Sequence, residues 1–200
     1  MQPLIIDNFL PESFQKSLID LLTGHEFPWT FFNYSVSEYD LEEHFYTDEP
    51  VKEHIQLRHG FAKDNNITSD FYKYIEPLKL IFESHMRTKV TYLHRLKSNL
   101  LISQKGPYLQ PPHVDVMDML DGDTNCLGYK TLLYYVNDSD GDTILYNEHF
   151  TGEPVGLVTE QQRISPKQGR AVIFDSNQIH SGCCPSINDT RMVINCVFGI

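Results

Sequence analysis

The sequence is short of basic residues, of cysteine and of long apolar runs, and each shortage removes a class of function. Lysine and arginine together number 16 against 27 acidic residues, a net charge of −11. Such a chain repels a phosphate backbone or an anionic membrane surface unless its few cations gather on one face, so nucleic acid is a disfavoured partner. The 4 cysteines, Cys126, Cys183, Cys184 and Cys196, contain no CxxC pair, which leaves neither a zinc knuckle nor a disulfide framework. Free thiols in a reducing compartment follow, and with them an expected cytoplasmic location. No stretch approaches the roughly 20 apolar residues of a membrane span. The opening Met1-Gln2-Pro3-Leu4-Ile5-Ile6-Asp7 lacks the basic start and apolar core of a secretory signal. GxGxxG, GxSxG and a Walker lysine are all missing, and there is no internal repeat, linker or low-complexity tract.

What is present is a hydrophobic fraction of 40%, with 12% aromatic and 22% charged residues. Such a chain of 200 residues folds as one domain, 1–200, burying roughly 70% of its unfolded surface. Residues 4–6 read as a short strand. Phe14, Leu18, Leu21 and Leu22 set a helical face over 11–22, stopped before Gly24. From His25 to Tyr46 the aromatics Phe27, Trp29, Phe31, Phe32, Tyr34, Tyr39, Phe45 and Tyr46 crowd together without a period, either lining a cleft or packing on a sheet. Residues 47–69 read as a loop with His54 and His59 as solvated surface residues. A second helix over 70–86 carries Phe71, Ile75, Leu78, Phe82 and His85 on one stripe, with Pro77 expected to kink or split it.

After Val90 the texture changes to short β-branched and aromatic segments at 90–102, 131–137, 143–147, 155–164, 170–175 and 190–198. Many short strands at this spacing indicate a barrel or a two-sheet jelly roll, a mainly β fold with flanking α-helices. Asn137-Asp138-Ser139-Asp140-Gly141-Asp142 reads as a hairpin turn and lacks the glycine and glutamate of a calcium loop.

The chain has one His-x-Asp, His113-Val114-Asp115, and chance alone supplies roughly 0.7 such tripeptides here. Its meaning comes from context. On an extended segment His113 and Asp115 share a face, and His180 after the strand-like 170–175 offers a third ligand. Two imidazoles and one carboxylate form the facial set of a non-haem Fe(II) centre, leaving open positions for a bidentate 2-oxo acid and dioxygen. Arg191 opens the last strand, where alternation places Arg191, Val193, Asn195 and Val197 on one face. A guanidinium turned inward there needs an anion, and a carboxylate suits its fork.

Pro112-His113-Val114-Asp115, Lys130 to Asp138, Gly141-Asp142-Thr143, Pro166 to Phe174, His180-Ser181-Gly182 and Arg191 follow one another in an order that resembles the 2-oxoglutarate/Fe(II)-dependent dioxygenases, in their prolyl 4-hydroxylase-like branch. The likeness covers 95–198, and Ile5 to Pro11 is similar to the family's entry into its first helix. It implies a double-stranded β-helix (jelly-roll, cupin-like) core over 90–200 with a helical N-terminal support over 1–89. It makes His113, Asp115 and His180 the Fe(II) ligands and catalytic centre, and pairs Arg191 and Tyr135 with the distal carboxylate of 2-oxoglutarate. Strand parity puts apolar Leu133 beside Tyr135; Asn195 and Asn99 are further candidates on the cosubstrate side. The loop 116–129, with Asp118, Asp121 and Asp123, either selects the substrate or is a solvated acidic turn.

The implied reaction splits 2-oxoglutarate and dioxygen into succinate, carbon dioxide and a hydroxylated C–H bond, with ascorbate as a reductant. Three readings stand at this point: hydroxylation of a prolyl or other peptide side chain, hydroxylation of a free amino acid or other small molecule, and a cupin-like metal-binding module without oxygenase activity. Arginine stands at 191 where collagen-type prolyl hydroxylases carry lysine. A nucleic-acid dealkylase is disfavoured by the charge and by the lack of a second downstream arginine.

Overall fold

A computed structural model describes residues 2–34, 44–52, 54–104, 106, 108–116 and 128–200. The elements run β1 (Leu4–Ile6), α1 (Glu12–Thr23), β2 (Thr30–Phe32), β3 (Phe45–Tyr46), β4 (Gln56–Lys63), β5 (Asn66–Ile67), α2 (Tyr72–Met86), β6 (Tyr92–Ile102), β7 (Tyr129–Tyr135), β8 (Thr143–His149), β9 (Gly156–Leu157), β10 (Glu160–Ile164), β11 (Ala171–Asp175), β12 (Gln178–Gly182) and β13 (Thr190–Gly199). Strands β1-β11-β7-β13-β6-β4-β2 form a main sheet in that order, and β10-β8-β12 a smaller one. All these neighbours are antiparallel. Residues 109–116 extend the smaller sheet irregularly, through antiparallel bridges Leu109 to Cys183 and His113 to His180.

The two sheets face each other across a core of Leu133, Tyr135, Val172, Phe174 and Val193 from one and Leu145 and Ile164 from the other. This is the jelly-roll architecture expected from the strand pattern. The helices cover the other side of the main sheet. Leu18 and Leu22 of α1 and Ile75, Leu78 and Phe82 of α2 pack with Leu132, Tyr134, Ile194, Cys196 and Phe198. Each such fully buried large side chain stabilises the fold by about 1.5–3 kcal/mol.

Several expectations need correction. Pro77 does not split the second helix: it lies inside one uninterrupted α2, because the burial of Ile75, Leu78 and Phe82 outweighs the one backbone hydrogen bond that proline forgoes. Residues 47–69 are not a loop: they contain β4, paired along its length with β6, so the chain before residue 90 supplies main-sheet strands as well as helices. His54 is fully buried, and His59 bonds Ser69 Oγ at 2.8 Å while packing on Phe27 and Phe61, so neither is a solvated histidine. Residues 137–142 do not close a hairpin; β7 and β8 lie in different sheets. The turn carries the chain from one sheet to the other, and its Asp140 accepts hydrogen bonds from the backbone of Ser186, Ile187 and Asn188, clamping the approach to β13.

The aromatic segment divides. Phe27 and Trp29 pack with the helices, and Phe45 joins Phe150 on the outer side of the smaller sheet. Phe32 and Tyr34 lie against the Arg58 guanidinium, and Tyr39 is outside the described residues.

Candidate active site

The site follows from strand parity. Alternation along β13 turns Arg191, Val193, Asn195 and Val197 toward the smaller sheet, and direct pairing sets Tyr135, Leu133 and Thr131 of β7 beside Val193, Asn195 and Val197. On the other flank Leu101, Asn99, Lys97 and Arg95 of β6 stand beside the same four β13 residues. Directly paired antiparallel residues project to the same face, so all of these line the space between the sheets.

Three of them meet a cluster on the opposite wall. The ligand atoms of His113, Asp115 and His180 lie within 4.8 Å of one another. His180 sits on β12 itself. His113 and His180 exchange backbone N–H···O bonds of 2.9 Å, which fixes their side chains together. His113 Nδ1 is 3.1 Å from the Pro111 carbonyl and His180 Nδ1 is 3.0 Å from the Gln178 carbonyl. A carbonyl only accepts, so each ring carries its proton on Nδ1 and leaves the Nε2 lone pair free for a cation.

Asp115 is held from three strands. Arg95 Nη2 approaches Oδ1 at 2.6 Å, Thr131 Oγ1 donates to Oδ2 at 2.8 Å, and Asn195 Nδ2 donates to Oδ2 at 3.1 Å. Burial pushes this carboxyl up, but His180, Arg95 and His113 outweigh it and hold it well below the usual range. Burial and the facing His180 push His113 down to about 3, and burial lowers His180 as well. An ionised carboxylate and two neutral imidazoles on one face fit a first-row divalent metal such as Fe(II).

At the other end of the cavity Arg191 is 5% exposed. Its Nε donates to the Gly141 carbonyl at 2.6 Å and its Nη2 to Thr143 Oγ1 at 2.8 Å; Tyr135 donates to the same oxygen at 2.7 Å. Thr143 thus accepts twice and has its own proton to give, and three of the five guanidinium N–H groups stay unspent. No carboxylate pairs with Arg191 among the described residues. A side chain at Gly141 could not fit, because its Cβ would lie 2.8 Å from Arg191 Cδ. The buried Gln110 Nε2 has no partner among the described residues and neighbours the same end, its amide oxygen lying 2.7 Å from where a Cβ on Gly182 would be. This end gathers unspent hydrogen-bond donors around a buried guanidinium.

Of the residues anticipated from sequence, His113, Asp115, His180, Arg191, Tyr135 and Leu133 all face this cavity. Asn99 does too, its buried Oδ1 without a partner among the described residues. Asn195 gives its Nδ2 to Asp115, while its buried Oδ1 has no partner among the described residues. Residues 117–127, and with them Asp118, Asp121 and Asp123, lie outside the described residues. Thr143, Thr131, Gln110, Arg95, Lys97 and Arg58 were not anticipated. Only Arg95 and Lys97 carried a usable signal, two cations at strand spacing in an apolar segment.

A family profile described as the 2OG-Fe(II) oxygenase superfamily matches residues 100–199, half of the chain. No curated protein sequence matches. Among solved structures, an oxidoreductase of the 2OG-Fe(II) oxygenase family from Burkholderia pseudomallei superposes with a TM-score of 0.63 at 12% identity, covering 98% of this chain and 84% of that one. SnoN, a non-heme alpha ketoglutarate dependent epimerase from nogalamycin biosynthesis, gives 0.60 at 13% identity, covering 98% and 76%. A prolyl-4-hydroxylase from Pseudomonas putida gives 0.57 at 13% identity, covering 99% and 92%. At these identities the likeness concerns the fold. The profile match, on the residues that carry His113, Asp115, His180 and Arg191, goes further: the chain belongs to the 2OG-Fe(II) oxygenase superfamily, whose members use Fe(II), 2-oxoglutarate and dioxygen.

Proposed function

We propose that the chain couples oxidative decarboxylation of 2-oxoglutarate to hydroxylation of a C–H bond, with His113, Asp115 and His180 as the iron ligands and Arg191 as partner of the cosubstrate's distal carboxylate. The observation that carries this reading is Arg191 itself, a buried cation with unspent donors and no carboxylate partner among the described residues, on the same inner face of β13 as Asn195, which binds Asp115 of the His-Asp-His cluster. A buried charge without a partner is expensive, and a dicarboxylate bound between cluster and guanidinium removes that cost.

When bound, the metal with its cosubstrate and dioxygen supplies the oxidising chemistry. The chain supplies position. Pro111 and Gln178 carbonyls aim the two imidazoles, while Arg95, Thr131 and Asn195 keep Asp115 ionised and oriented. Thr143 and Tyr135 complete the carboxylate seat around Arg191. Leu133, Leu145, Val172, Phe174 and Val193 pack as an apolar cluster between the sheets and exclude water from that side of the site.

The test is turnover. Purified protein with Fe(II) and dioxygen should convert 2-oxoglutarate to succinate, and His180→Ala should stop it. Absence of conversion together with absence of 2-oxoglutarate binding would overturn the reading in favour of a metal-binding module. Mass spectrometry of peptide and metabolite libraries for a gain of one oxygen then separates a prolyl or other peptide substrate from a small molecule. Products of unchanged oxygen content would instead point to an epimerase-type outcome.

A further inference from the structure

The inner face of the smaller sheet is laid out in rows across its strands. Between β8 and β12, Leu145 pairs with His180 and Thr143 with Gly182, while Ile144 and Ile179 pack in the outer cluster. The irregular strand 109–116 continues both rows. His113 bridges to His180, and the Gln110 backbone N–H donates to the Gly182 carbonyl at 2.8 Å. Leu109 and Cys183 belong to the outer cluster, so alternation turns their neighbours Gln110 and Gly182 inward. One row is therefore Leu145, His180 and His113, and the next is Thr143, Gly182 and Gln110.

The second row has a notch at its centre. Gly182 has no side chain, and a Cβ there would lie 2.7 Å from Gln110 Oε1 and 3.7 Å from Arg191 Nη1. The Gln110 amide and the Arg191 fork thus converge on one point from opposite sheets. Thr143 stands on the other flank of Gly182, its hydroxyl accepting from Arg191 Nη2 at 2.8 Å. Gln110 is 7% exposed, and its Nε2 is buried with no hydrogen-bond partner among the described residues. An amide donor left in that state costs free energy. Gln110 Nε2, the remaining guanidinium N–H groups and the Thr143 hydroxyl all have protons to give, and a carboxylate, which only accepts, suits such a set. Two residues of strand, roughly 7 Å, separate this row from that of His113 and His180. A five-carbon dicarboxylate is of that length.

We propose that Gln110 is a cosubstrate-binding residue, its Nε2 donating to the distal carboxylate of 2-oxoglutarate alongside Arg191, and that Gly182 is required as glycine to leave that contact room; the inference rests on the iron-site reading above. Gln110 and Gly182 then determine specificity among 2-oxo acids, favouring one that carries a second carboxylate at this reach, and take no part in holding the metal.

The experiment is calorimetric titration of the full chain loaded with Mn(II). The probes are 2-oxoglutarate and oxalate, a two-carbon chelator that reaches the metal and is too short for the notch. Gln110→Met and Gly182→Ala should each weaken 2-oxoglutarate binding by about tenfold or more. Oxalate and Mn(II) affinities should stay within about twofold of wild type, which also shows that the variants fold. A residue that only props up the sheet would change both probes alike, so an equal loss of oxalate affinity overturns the proposal. Wild-type 2-oxoglutarate affinity in Gln110→Met or in Gly182→Ala overturns it as well, and leaves the iron-site reading standing as long as Arg191→Ala weakens binding. Failure of the wild-type protein to bind 2-oxoglutarate, or undiminished binding in Arg191→Ala, overturns the iron-site reading itself, and the role of Gln110 with it.

Discussion

The two faces of β13 have the same backbone and opposite duties. Met192, Ile194, Cys196 and Phe198 point toward the helices and are buried in the largest apolar cluster. Arg191, Val193, Asn195 and Val197 point between the two sheets, where Asn195 Oδ1 on β13, Asn99 Oδ1 on β6 and Arg95 Nε are buried without partners among the described residues. The helix-covered face gains its stability from area removed from water. The cavity face gives up some stability, because polar groups left unsatisfied there cost free energy until a ligand meets them. Fold and chemistry are therefore separable by substitution along a single strand pair.

The largest effect belongs to the metal cluster. His180→Ala should lower Fe(II) affinity well beyond the roughly 100-fold that losing a supporting hydrogen bond costs, with the melting temperature nearly unchanged. Metal analysis after gel filtration, together with thermal unfolding, checks it. Phe198→Ala is the converse: it should cost about 3–5 kcal/mol of stability, seen in denaturant titration, while the folded fraction keeps wild-type metal affinity. If either variant moved both properties equally, the division between the faces would collapse.

Arg191→Ala should weaken 2-oxoglutarate binding by about 30-fold or more, with metal retention preserved, as calorimetry can show. Thr131→Val removes one donor from Asp115 and should lower metal affinity by about 10-fold to 100-fold without touching cosubstrate affinity in metal-saturated protein.

How much of this was legible in the sequence depends on which face a residue serves. Helices α1 and α2 announced themselves because their buried residues recur at helical spacing, and the strands after residue 90 because β-branched and aromatic residues dominate them. Strand β4 did not. Its cavity face holds Arg58 and Gly60, and a register shift between Gly60 and Ala62 breaks the period-two alternation by which a strand is recognised. Strand β12 is hidden likewise, since Gln178, His180, Ser181 and Gly182 are there for the site and its close packing. The turn at 137–142 has the same local chemistry whether the chain returns to its own sheet or crosses to the other, so a hairpin could not be told from a crossover. Thr143 and Thr131 are single hydroxyls whose role exists only through the facing Arg191 and Asp115.

The smallest effect lies outside both faces, where the chain's start is tied to β11. Asp7 accepts from Arg170 Nε at 2.7 Å and pairs with Lys167. The Arg170 hydrogen bond, against a weaker opposing effect of burial, lowers its carboxyl from the ordinary 3.8 to about 2. A depressed carboxylate contributes stability that is complete above about 3.8 and is lost as pH falls toward 2. Because Asp7 is 40% exposed, solvent keeps this contribution small. Melting curves of wild type and Asp7→Asn should differ slightly at pH 6 and converge toward pH 2.

The most direct test of the central claim, that the cavity face is an iron and 2-oxoglutarate site built on a separately stabilised sheet, is an anaerobic titration of 2-oxoglutarate into Fe(II)-loaded protein followed by visible charge-transfer absorption. The account predicts a saturable band at one equivalent in the wild type and in the folded fraction of Phe198→Ala, a right-shifted titration in Arg191→Ala, and no band in His180→Ala. A band that persists in His180→Ala, or one that never forms in the wild type, would contradict it.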